Sequence, residues 1–249
     1  MIGDGERVFW SVPYNKVHFV DNPYILDDRP LLRRRNKYID PDSFVGKNWI
    51  ISYENKLKRT INRSKKISVF EKMMTEEKYR IVKNKIDALL PGEFVFDEGE
   101  RYYVDRSVKL HAANLVTGSK VFSIIKILLE NGDIDEHTLL ILDEPESHLH
   151  PEWQNSFVEV ITLLVKEVGC HVVLTTHSPQ FMLAVDAFMR KYEITDRCNF
   201  YQTKQIDGSR FVNYECVNDR LDRIYQDFVI HLSEMKGLRN ECLLDKNME

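Results

Sequence analysis

The sequence predicts an α/β protein built on a mainly parallel sheet with helices on its faces. Two apolar runs, Thr138–Asp143 and Cys170–Thr175, are typical of short buried parallel strands. Between them, the segment Pro151–Val168 repeats its apolar residues at helical spacing and begins with proline, which is favourable at the first helical position. Strand, helix and strand in this order indicate an α/β unit. Asp143 and Glu144 end the first strand, at the edge where open α/β sheets bind their ligands.

The first 32 residues are predicted to add short strands. Apolar and polar residues alternate in Val8–Val12 and again in Lys16–Asp21, which is typical of half-buried strands. Asn22-Pro23 and Arg29-Pro30 are turn signals that separate these strands from the basic segment after them. We therefore assign residues 1–32 to strand segments of the main domain.

Residues 33–92 are predicted to form a helical, basic insert. Apolar residues recur loosely at helical spacing over 46–69, and Thr75 followed by two acids predicts a helix over Glu76–Leu90. Between residues 33 and 85 there are 16 lysines or arginines against 6 acids, while the whole chain has a net charge of −4. Such asymmetry indicates either a surface for nucleic acid or an acidic partner, or simply solvated helices; both interpretations stay open.

Residues 93–249 are assigned to the core of the domain together with a final hairpin and helix. A hairpin is predicted around Asp97–Glu100, where two β-rich runs meet. Thr117-Gly118-Ser119 then opens a helix whose apolar residues repeat through Val121–Glu130. The amino terminus of such a helix presents backbone amides and a hydroxyl, a favourable arrangement for an anion.

The end of the chain is predicted to contain three further elements. Ser178-Pro179 is typical of a helix start, and we expect a helix of one or two turns there. Asp207-Gly208 is a strong hairpin dipeptide between two strands within 198–217. An amphipathic helix is expected after them, over about Asp219–Lys236.

Composition excludes several classes of protein. No run of 18 uncharged apolar residues occurs, and the first residues lack the basic-then-apolar order of a signal peptide, so we expect a cytoplasmic protein without a membrane span. The four cysteines lie at wide, irregular spacings without a C-x-x-C pair, which argues against a zinc ribbon or a redox motif.

Asp143 and Glu144 are the strongest candidates for chemistry. One carboxylate at a strand end can hold Mg²⁺ through water, and a second beside it can orient a water molecule toward a γ-phosphate. Two acids with a purely structural role at a strand end would give the same sequence pattern, so the pair alone does not distinguish a structural role from a functional one. The next residues along the chain, Pro145-Glu146 and His148-Leu149-His150-Pro151, strengthen the functional interpretation.

The segment L-L-I-L-D-E-P-E-S-H-L-H-P resembles the Walker B motif and D-loop of ABC-type ATPases. The resemblance is to the branch containing the overcoming-lysogenization-defect enzymes, the Septu and retron-associated anti-phage ATPases, and their SMC-like relatives. Thr175–Pro179 is similar to the switch-histidine segment of that family. The resemblance implies that Asp143 binds Mg²⁺ through water, that Glu144 is the catalytic base and that His177 lies near the γ-phosphate.

An earlier segment, Asn114–Lys120, resembles the signature motif of the same family. Val116-Thr117-Gly118 stands where the family has Leu-Ser-Ser/Thr-Gly, and it keeps the hydroxyl and the glycine. The resemblance implies that this segment clamps the γ-phosphate of ATP held by another subunit, with ATP and Mg²⁺ as cofactors. The cofactor-binding residues that it implies are Asn114, Thr117, Gly118, Ser119, Lys120 and, in the D-loop, His148.

One essential motif is missing from these 249 residues. A phosphate-binding loop needs G-x-x-x-x-G-K-[ST], because glycine amides and a lysine surround the phosphates. Gly46-Lys47 is followed by Asn48, and Pro41 stands where the first glycine belongs. We therefore expect the C-terminal part of a P-loop, ABC-type ATPase head, without the central strand that the family places beside the switch-histidine strand. That gap predicts an exposed apolar seam.

The sequence is compatible with three functions. The chain can be an ATPase subunit that works with a homo-oligomeric or heteromeric partner supplying the Walker A segment; the resemblance implies prokaryotic anti-phage defence and control of a nuclease partner. It can be a catalytically incomplete pseudo-ATPase that serves as a scaffold or sensor. It can also be a metal-dependent nuclease whose carboxylates and imidazoles surround a metal. The nuclease candidates are Asp143, Glu144, Glu146, His148, His150 and His177.

Overall fold

The computed structural model describes residues 14–21, 23–26, 57, 60–61, 76–97, 100–222, 224–226, 230 and 233–237. The chain divides into two compact units, 1–176 and 177–249. The predicted strand at Val8–Val12, the turn at Arg29-Pro30, Thr75 and most of the basic insert lie outside the described residues.

Each unit has its own set of helices and strands. The first unit contains β1 (Lys16–Val20), α1 (Glu77–Leu89), β2 (Glu93–Asp97), β3 (Glu100–Asp105), β4 (Val108–His111), α2 (Thr117–Glu130), β5 (Thr138–Asp143), α3 (Pro151–Leu163) and β6 (His171–Thr175). Short 3₁₀ turns occupy Pro23–Leu26, Ala112–Asn114 and Pro145–His148, and a π-helical turn at Leu164–Val168 extends α3. The second unit contains α4 (Pro179–Lys191), a 3₁₀ turn at Thr195–Arg197, β7 (Tyr201–Gln205) and β8 (Val212–Cys216).

A parallel three-stranded sheet in the order β1-β5-β6 is the centre of the first unit. The middle strand, β5, buries Leu140 and Leu142 completely. β6 pairs with β5 on one side, and no strand of the described residues pairs with its other side. Val173 in this edge strand is 52% exposed. The predicted parallel sheet is confirmed, and its β6 edge is open within the part of the chain that the structure describes.

Helices α2 and α3 pack in the core of this unit, as the α/β prediction requires. Every residue of α2 after its first two is buried. In α3, Phe157 is fully buried and its ring lies 5.3 Å from that of Phe122 in α2, in a perpendicular arrangement. Trp153 contacts the same Phe122 ring edge-on at 5.5 Å. Such edge-to-face pairs are favourable beyond the apolar area that they bury.

The predicted hairpin around Asp97–Glu100 is confirmed as part of an antiparallel sheet in the order β2-β3-β4. The last strand of this sheet, β4, ends at His111 and is followed by the turn Ala112–Asn114. From the basic insert, Leu57 and Ile61 are helical and buried, as their spacing predicts.

Lys126 of α2 connects the helix to the α1–β2 segment. Its side chain is 1% exposed, and its ammonium group donates hydrogen bonds to the carbonyl oxygens of Leu90 (2.7 Å) and Gly92 (2.6 Å). It also forms an ion pair with Asp87 Oδ1 at 2.6 Å. A buried ammonium group needs such partners, because leaving it without them costs several kcal/mol, on the order of 3–5.

Helix α4 corrects one prediction from the sequence. The expected length was one or two turns, whereas α4 has 13 residues. Its buried residues Phe181, Ala184, Val185 and Met189 continue at helical spacing to the last turn, so the apolar stripe and not the start signal sets its length. The start itself is as predicted: Ser178 Oγ accepts a hydrogen bond from the backbone N–H of Phe181 at 3.2 Å.

The hairpin predicted at Asp207-Gly208 is confirmed in the second unit, with Gly208 at φ 69° in the turn. Large side chains on this hairpin remain exposed, among them Tyr201, Phe211 and Tyr214. The final predicted helix is described only in pieces, and residues 221–222, 224–226 and 233–237 are helical. Among the described residues, no helix combines the length and the apolar character needed to cross a membrane.

Candidate functional site

The carboxyl end of β5 presents the two carboxylates that the sequence singled out. Asp143 is the last residue of β5, Glu144 is next to it, and both are exposed. Thr175, which ends the neighbouring strand β6, contacts both residues. Its hydroxyl donates a hydrogen bond to Asp143 Oδ1 at 2.5 Å and accepts one from the backbone N–H of Glu144 at 3.1 Å. The pairing of β6 with β5 therefore fixes the orientation of Asp143 and the backbone of Glu144.

Glu144 has a left-handed backbone conformation, with φ 43° and ψ 51°. For a residue other than glycine this conformation costs about 1–2 kcal/mol. Non-glycine residues in sparsely populated backbone regions persist where the surrounding structure determines them, and they cluster at functional sites. No pattern in the sequence indicates this strain.

The second threonine of the Thr175–Pro179 segment holds another acid. Thr176 Oγ1 donates a hydrogen bond to Glu146 Oε1 at 2.5 Å, and Glu146 is buried. Gln154 of α3 donates from its amide to the carbonyl oxygens of Glu146 (3.4 Å) and Leu149 (3.1 Å). The turn Pro145–His148 is therefore tied both to the end of β6 and to α3.

Asp21 is a site residue that the sequence interpretation missed. It comes directly after β1, and because Val20 pairs with Leu142, parallel strands bring Asp21 beside Asp143. A small pocket opens at this edge of the sheet, lined by Asp21, Asp143, Glu144 and His148 together with apolar side chains of α2 and α3. The available signal was the same as for Asp143: an acid placed directly after an apolar run.

The amino terminus of α2 lies against the turn Pro145–His148. The capping residue Val116 has an apolar side chain, which makes no hydrogen bond to the first amides of the helix. Val116 is 71% exposed. A Cβ atom on Gly118 would lie 3.4 Å from the backbone oxygen of His148 and 3.6 Å from Cε3 of Trp153. The predicted signature segment and the predicted D-loop are thus in contact within one chain.

The predicted cofactor-binding residues differ in their exposure. Asn114 and His148 are exposed, while Thr117 and Gly118 are half-buried. Ser119 and Lys120 are buried: the carbonyl oxygen of Ser119 accepts a hydrogen bond from Ser123 Oγ at 2.7 Å, and Lys120 is 4% exposed. Asn114, Thr117, Gly118 and His148 are therefore more accessible to a nucleotide than Ser119 and Lys120 are. The nucleotide contacts of all six residues stay predictions.

The histidines of the two segments occupy different environments. The ring of His148 contacts Tyr24 edge-on at 5.7 Å, and His150 is exposed just before α3. His177 is exposed and begins the second unit, directly after Thr176 in sequence. Its predicted place near a γ-phosphate stays a prediction.

The side chains at the end of β5 fit a Mg²⁺ ion that is held by few carboxylates and completed by water and phosphate oxygens. Among the described residues, no group of three or more His, Cys, Asp or Glu side chains is placed to hold a metal ion. Mg²⁺ commonly binds through one or two carboxylates, with waters and substrate phosphates completing its shell. Asp143 is exposed, and the Thr175 bond engages Oδ1, so a carboxylate oxygen is available for this role.

One comparison with known proteins agrees with the ATPase-type prediction at a coarse level. Residues 117–184 match the family described as "AAA domain, putative AbiEii toxin, Type IV TA system". The matched range contains Thr117–Lys120, Asp143, Glu144, His148 and His177. The chain is also similar to a solved structure described as "Structural biochemistry of ATP-driven dimerization and DNA stimulated activation of SMC ATPases". That similarity has 11% identity and a TM-score of 0.41, and it covers 64% of this chain and 96% of the other. None of the curated proteins matches the sequence.

Thr175 offers a direct test of how the carboxylates are held. Replacing it with valine keeps the shape of the side chain but removes the hydroxyl that contacts Asp143 and Glu144. On the ATPase prediction, and with a Walker A segment supplied, we expect Thr175→Val to raise the Mg²⁺ concentration for half-maximal ATP hydrolysis about 10-fold, the scale typical of removing a partner of a metal ligand. Stability should change by about 1 kcal/mol or less, because the site is exposed. A magnesium titration of Thr175→Val and Thr175→Ser checks this, and serine should behave like the wild type.

Proposed function

We propose that this chain carries the signature and Walker B part of an ABC-type ATPase site. It hydrolyses ATP once a phosphate-binding loop from outside these 249 residues is supplied. The observation that supports this most is the end of β5, where Asp143 and Glu144 are both exposed and both contacted by Thr175. The strained backbone of Glu144 adds to it, because the chain maintains an unfavourable conformation at the residue proposed as the base.

Each residue has a definite role in this proposal. Bound Mg·ATP supplies the phosphoryl group and the divalent charge that polarises it. Asp143 would hold the Mg²⁺ ion through water with its carboxylate. Glu144 accepts a proton from the attacking water, and its exposed carboxylate suits this role. Thr117 and the free amides at the start of α2 donate hydrogen bonds to phosphate oxygens presented by an apposed subunit.

The open edge of β6 favours pairing with a strand from outside the described residues. Strands of parallel sheets are normally buried, whereas Val173 of β6 is half exposed and β6 has one strand partner among the described residues. An unpaired strand edge presents backbone groups that pair readily with another strand. We propose that the strand leading into the phosphate-binding loop pairs here, from a partner chain or from another segment of a longer protein.

A scaffold or sensor function is the second candidate. It is favoured by one observation: the 249 residues contain no G-x-x-x-x-G-K-[ST] sequence. The nuclease alternative gains no such support. In the described part of the chain no metal-binding group of three side chains forms, and Glu146 is buried against Thr176.

The biological setting is proposed from the resemblance alone. It consists of a cytoplasmic oligomer in prokaryotic anti-phage defence, acting on a nuclease partner, with residues 33–85 available for nucleic acid. A fold and a motif do not determine such a setting, so it depends on analogy.

Calorimetric titration with Mg·ATP tests the proposed function. We expect no tight binding by the chain alone, and binding with hydrolysis in the assembly that also contains the segment bearing G-x-x-x-x-G-K-[ST]. Hydrolysis by the chain alone that Glu144→Gln abolishes would overturn the requirement for an external loop. Absence of ATP binding with every natural partner present would overturn the ATPase proposal and leave the scaffold function.

A further inference from the structure

Tyr24 lies in the turn after β1, close to the proposed site. The turn Pro23–Leu26 is anchored by Ile25 and Leu26, which are both buried. Tyr24 itself is 45% exposed. The backbone of this residue is thus held by its neighbours in the core, while its ring remains at the surface.

The ring of Tyr24 joins two segments that are distant in sequence. The ammonium group of Lys120 lies 5.2 Å from the ring centre, within the range of a cation–π contact. The ring of His148 packs edge-on against Tyr24 at 5.7 Å, with 74° between the planes. The Tyr24 hydroxyl lies 3.5 Å from Thr117 Oγ1. Three residues predicted to contact nucleotide therefore share one aromatic neighbour that no motif includes.

We propose that Tyr24 is a positioning residue of the nucleotide site. It fixes the first turn of α2 relative to the turn Pro145–His148, so that Thr117 and His148 face an apposed ATP in one arrangement. This inference depends on the proposed ATPase function. Tyr24 itself is assigned no contact with the nucleotide.

The physical reason is that the Tyr24 ring contacts both segments at once, close to their exposed ends. Val116 provides no cap to α2, and His148 is exposed. The Tyr24 ring restrains Lys120 and His148 simultaneously because it offers a face to the cation and a surface to the imidazole. Misplacing a group at a reacting centre by about 1 Å can cost about 100-fold in rate. Loss of the ring is therefore expected to slow hydrolysis without removing any group that binds ATP.

The experiment compares Tyr24→Ala, Tyr24→Leu and Tyr24→Phe in the ATP-hydrolysing assembly. Leucine keeps apolar bulk without an aromatic face, so it remains informative if alanine impairs folding. Tyr14→Ala is the matched control, because Tyr14 also packs edge-on against a histidine, His171, at 5.0 Å, but at the amino ends of the strands. We measure kcat and KM for Mg·ATP, and circular dichroism reports the folded fraction.

We expect Tyr24→Ala and Tyr24→Leu to lower kcat about 10-fold or more, up to the 100-fold scale of a misplaced group, with KM changed less than about 2-fold. Tyr24→Phe should remain within about 3-fold of the wild type, because the ring contacts persist and the hydroxyl contact is long. Tyr14→Ala should leave kcat unchanged.

The outcomes separate the inference from the proposed function. If the wild-type assembly hydrolyses ATP and the Tyr24 variants match Tyr14→Ala, the positioning role is wrong and the ATPase function stands. If Tyr24→Phe loses as much as Tyr24→Ala, the ring contacts are not the cause, which also overturns the inference. If the wild-type assembly neither binds nor hydrolyses ATP, the proposed function fails and the inference fails with it.

Discussion

Replacing Glu144 with glutamine is expected to reduce ATP hydrolysis about 100-fold or more in the assembly that binds ATP, the range typical of losing a general base. Glutamine keeps the size of the side chain but replaces one carboxylate oxygen with an NH₂ group, so it does not accept the proton of the attacking water. Binding of ATP should persist, because Asp143 and the phosphate contacts remain. Single-turnover hydrolysis and equilibrium binding, measured on the same preparation, separate the two effects. Hydrolysis within about 3-fold of the wild type would remove Glu144 from the role of base.

The backbone of Glu144 allows a second substitution with an opposite effect on stability. Glycine adopts φ 43° without the steric cost that a side chain brings, so Glu144→Gly should raise the free energy of unfolding by about 1 kcal/mol while hydrolysis is lost. Glu193 is a matched control, because it is also exposed with positive φ, 58°, at the end of α4. Glu193→Gly should give a similar gain in stability and leave hydrolysis intact. If Glu144→Gly destabilised the protein, the left-handed conformation would not be a source of strain.

Replacing Lys126 with methionine is expected to cost about 3–5 kcal/mol of stability, the largest effect that we expect on the fold. Methionine fills much of the same volume but leaves the carbonyl oxygens of Leu90 and Gly92 without their buried donor. It also removes Lys126 from Asp87, which among the described residues keeps only its ion pair with Lys83. The segment carrying α1 and β2 would then detach more easily from α2. Urea denaturation monitored by circular dichroism measures the change.

Lys78 provides the control for this experiment. It lies in the same first unit on α1, and its ammonium group pairs with Glu76 at 3.4 Å and Glu136 at 3.6 Å at a solvent-exposed site. Exposed ion pairs contribute about 0–1 kcal/mol, so Lys78→Met should change stability by no more than that. Equal losses for the two variants would show that Lys126 is not held as a buried ion pair.

The parallel sheet could be predicted because its strands are strongly apolar and end in recognisable residues. Thr138–Asp143 and the strand near Cys170 were placed within a residue, since continuous apolar runs occur mainly in strands buried on both faces. The length of α4 was underestimated because the start signal at Ser178-Pro179 is local, whereas the burial of Met189 depends on packing. Helix ends set by packing are not visible in capping patterns.

The candidate site could be predicted only in part, because a sequence motif identifies residues but not the side chains and backbone that surround them. Asp143 and Glu144 could be identified from their place after a strand, and the structure adds the hydroxyl of Thr175 that holds them. The left-handed backbone of Glu144 depends on the turn after it and has no sequence signature of its own. Asp21 and Tyr24 approach the site through strand pairing and side-chain packing, which bring together residues about 120 positions apart in the sequence.

If an external strand pairs with the open edge of β6, as we propose, its concentration determines how well the two carboxylates are ordered. Thr175, which holds Asp143 and Glu144, is the last residue of the strand whose other side is open among the described residues. A strand that binds only the folded edge stabilises it in proportion to the logarithm of its concentration. Occupancy of the edge would therefore set how rigidly the carboxylates are presented. In such a protein, binding of the external strand and ordering of the two carboxylates would be one equilibrium.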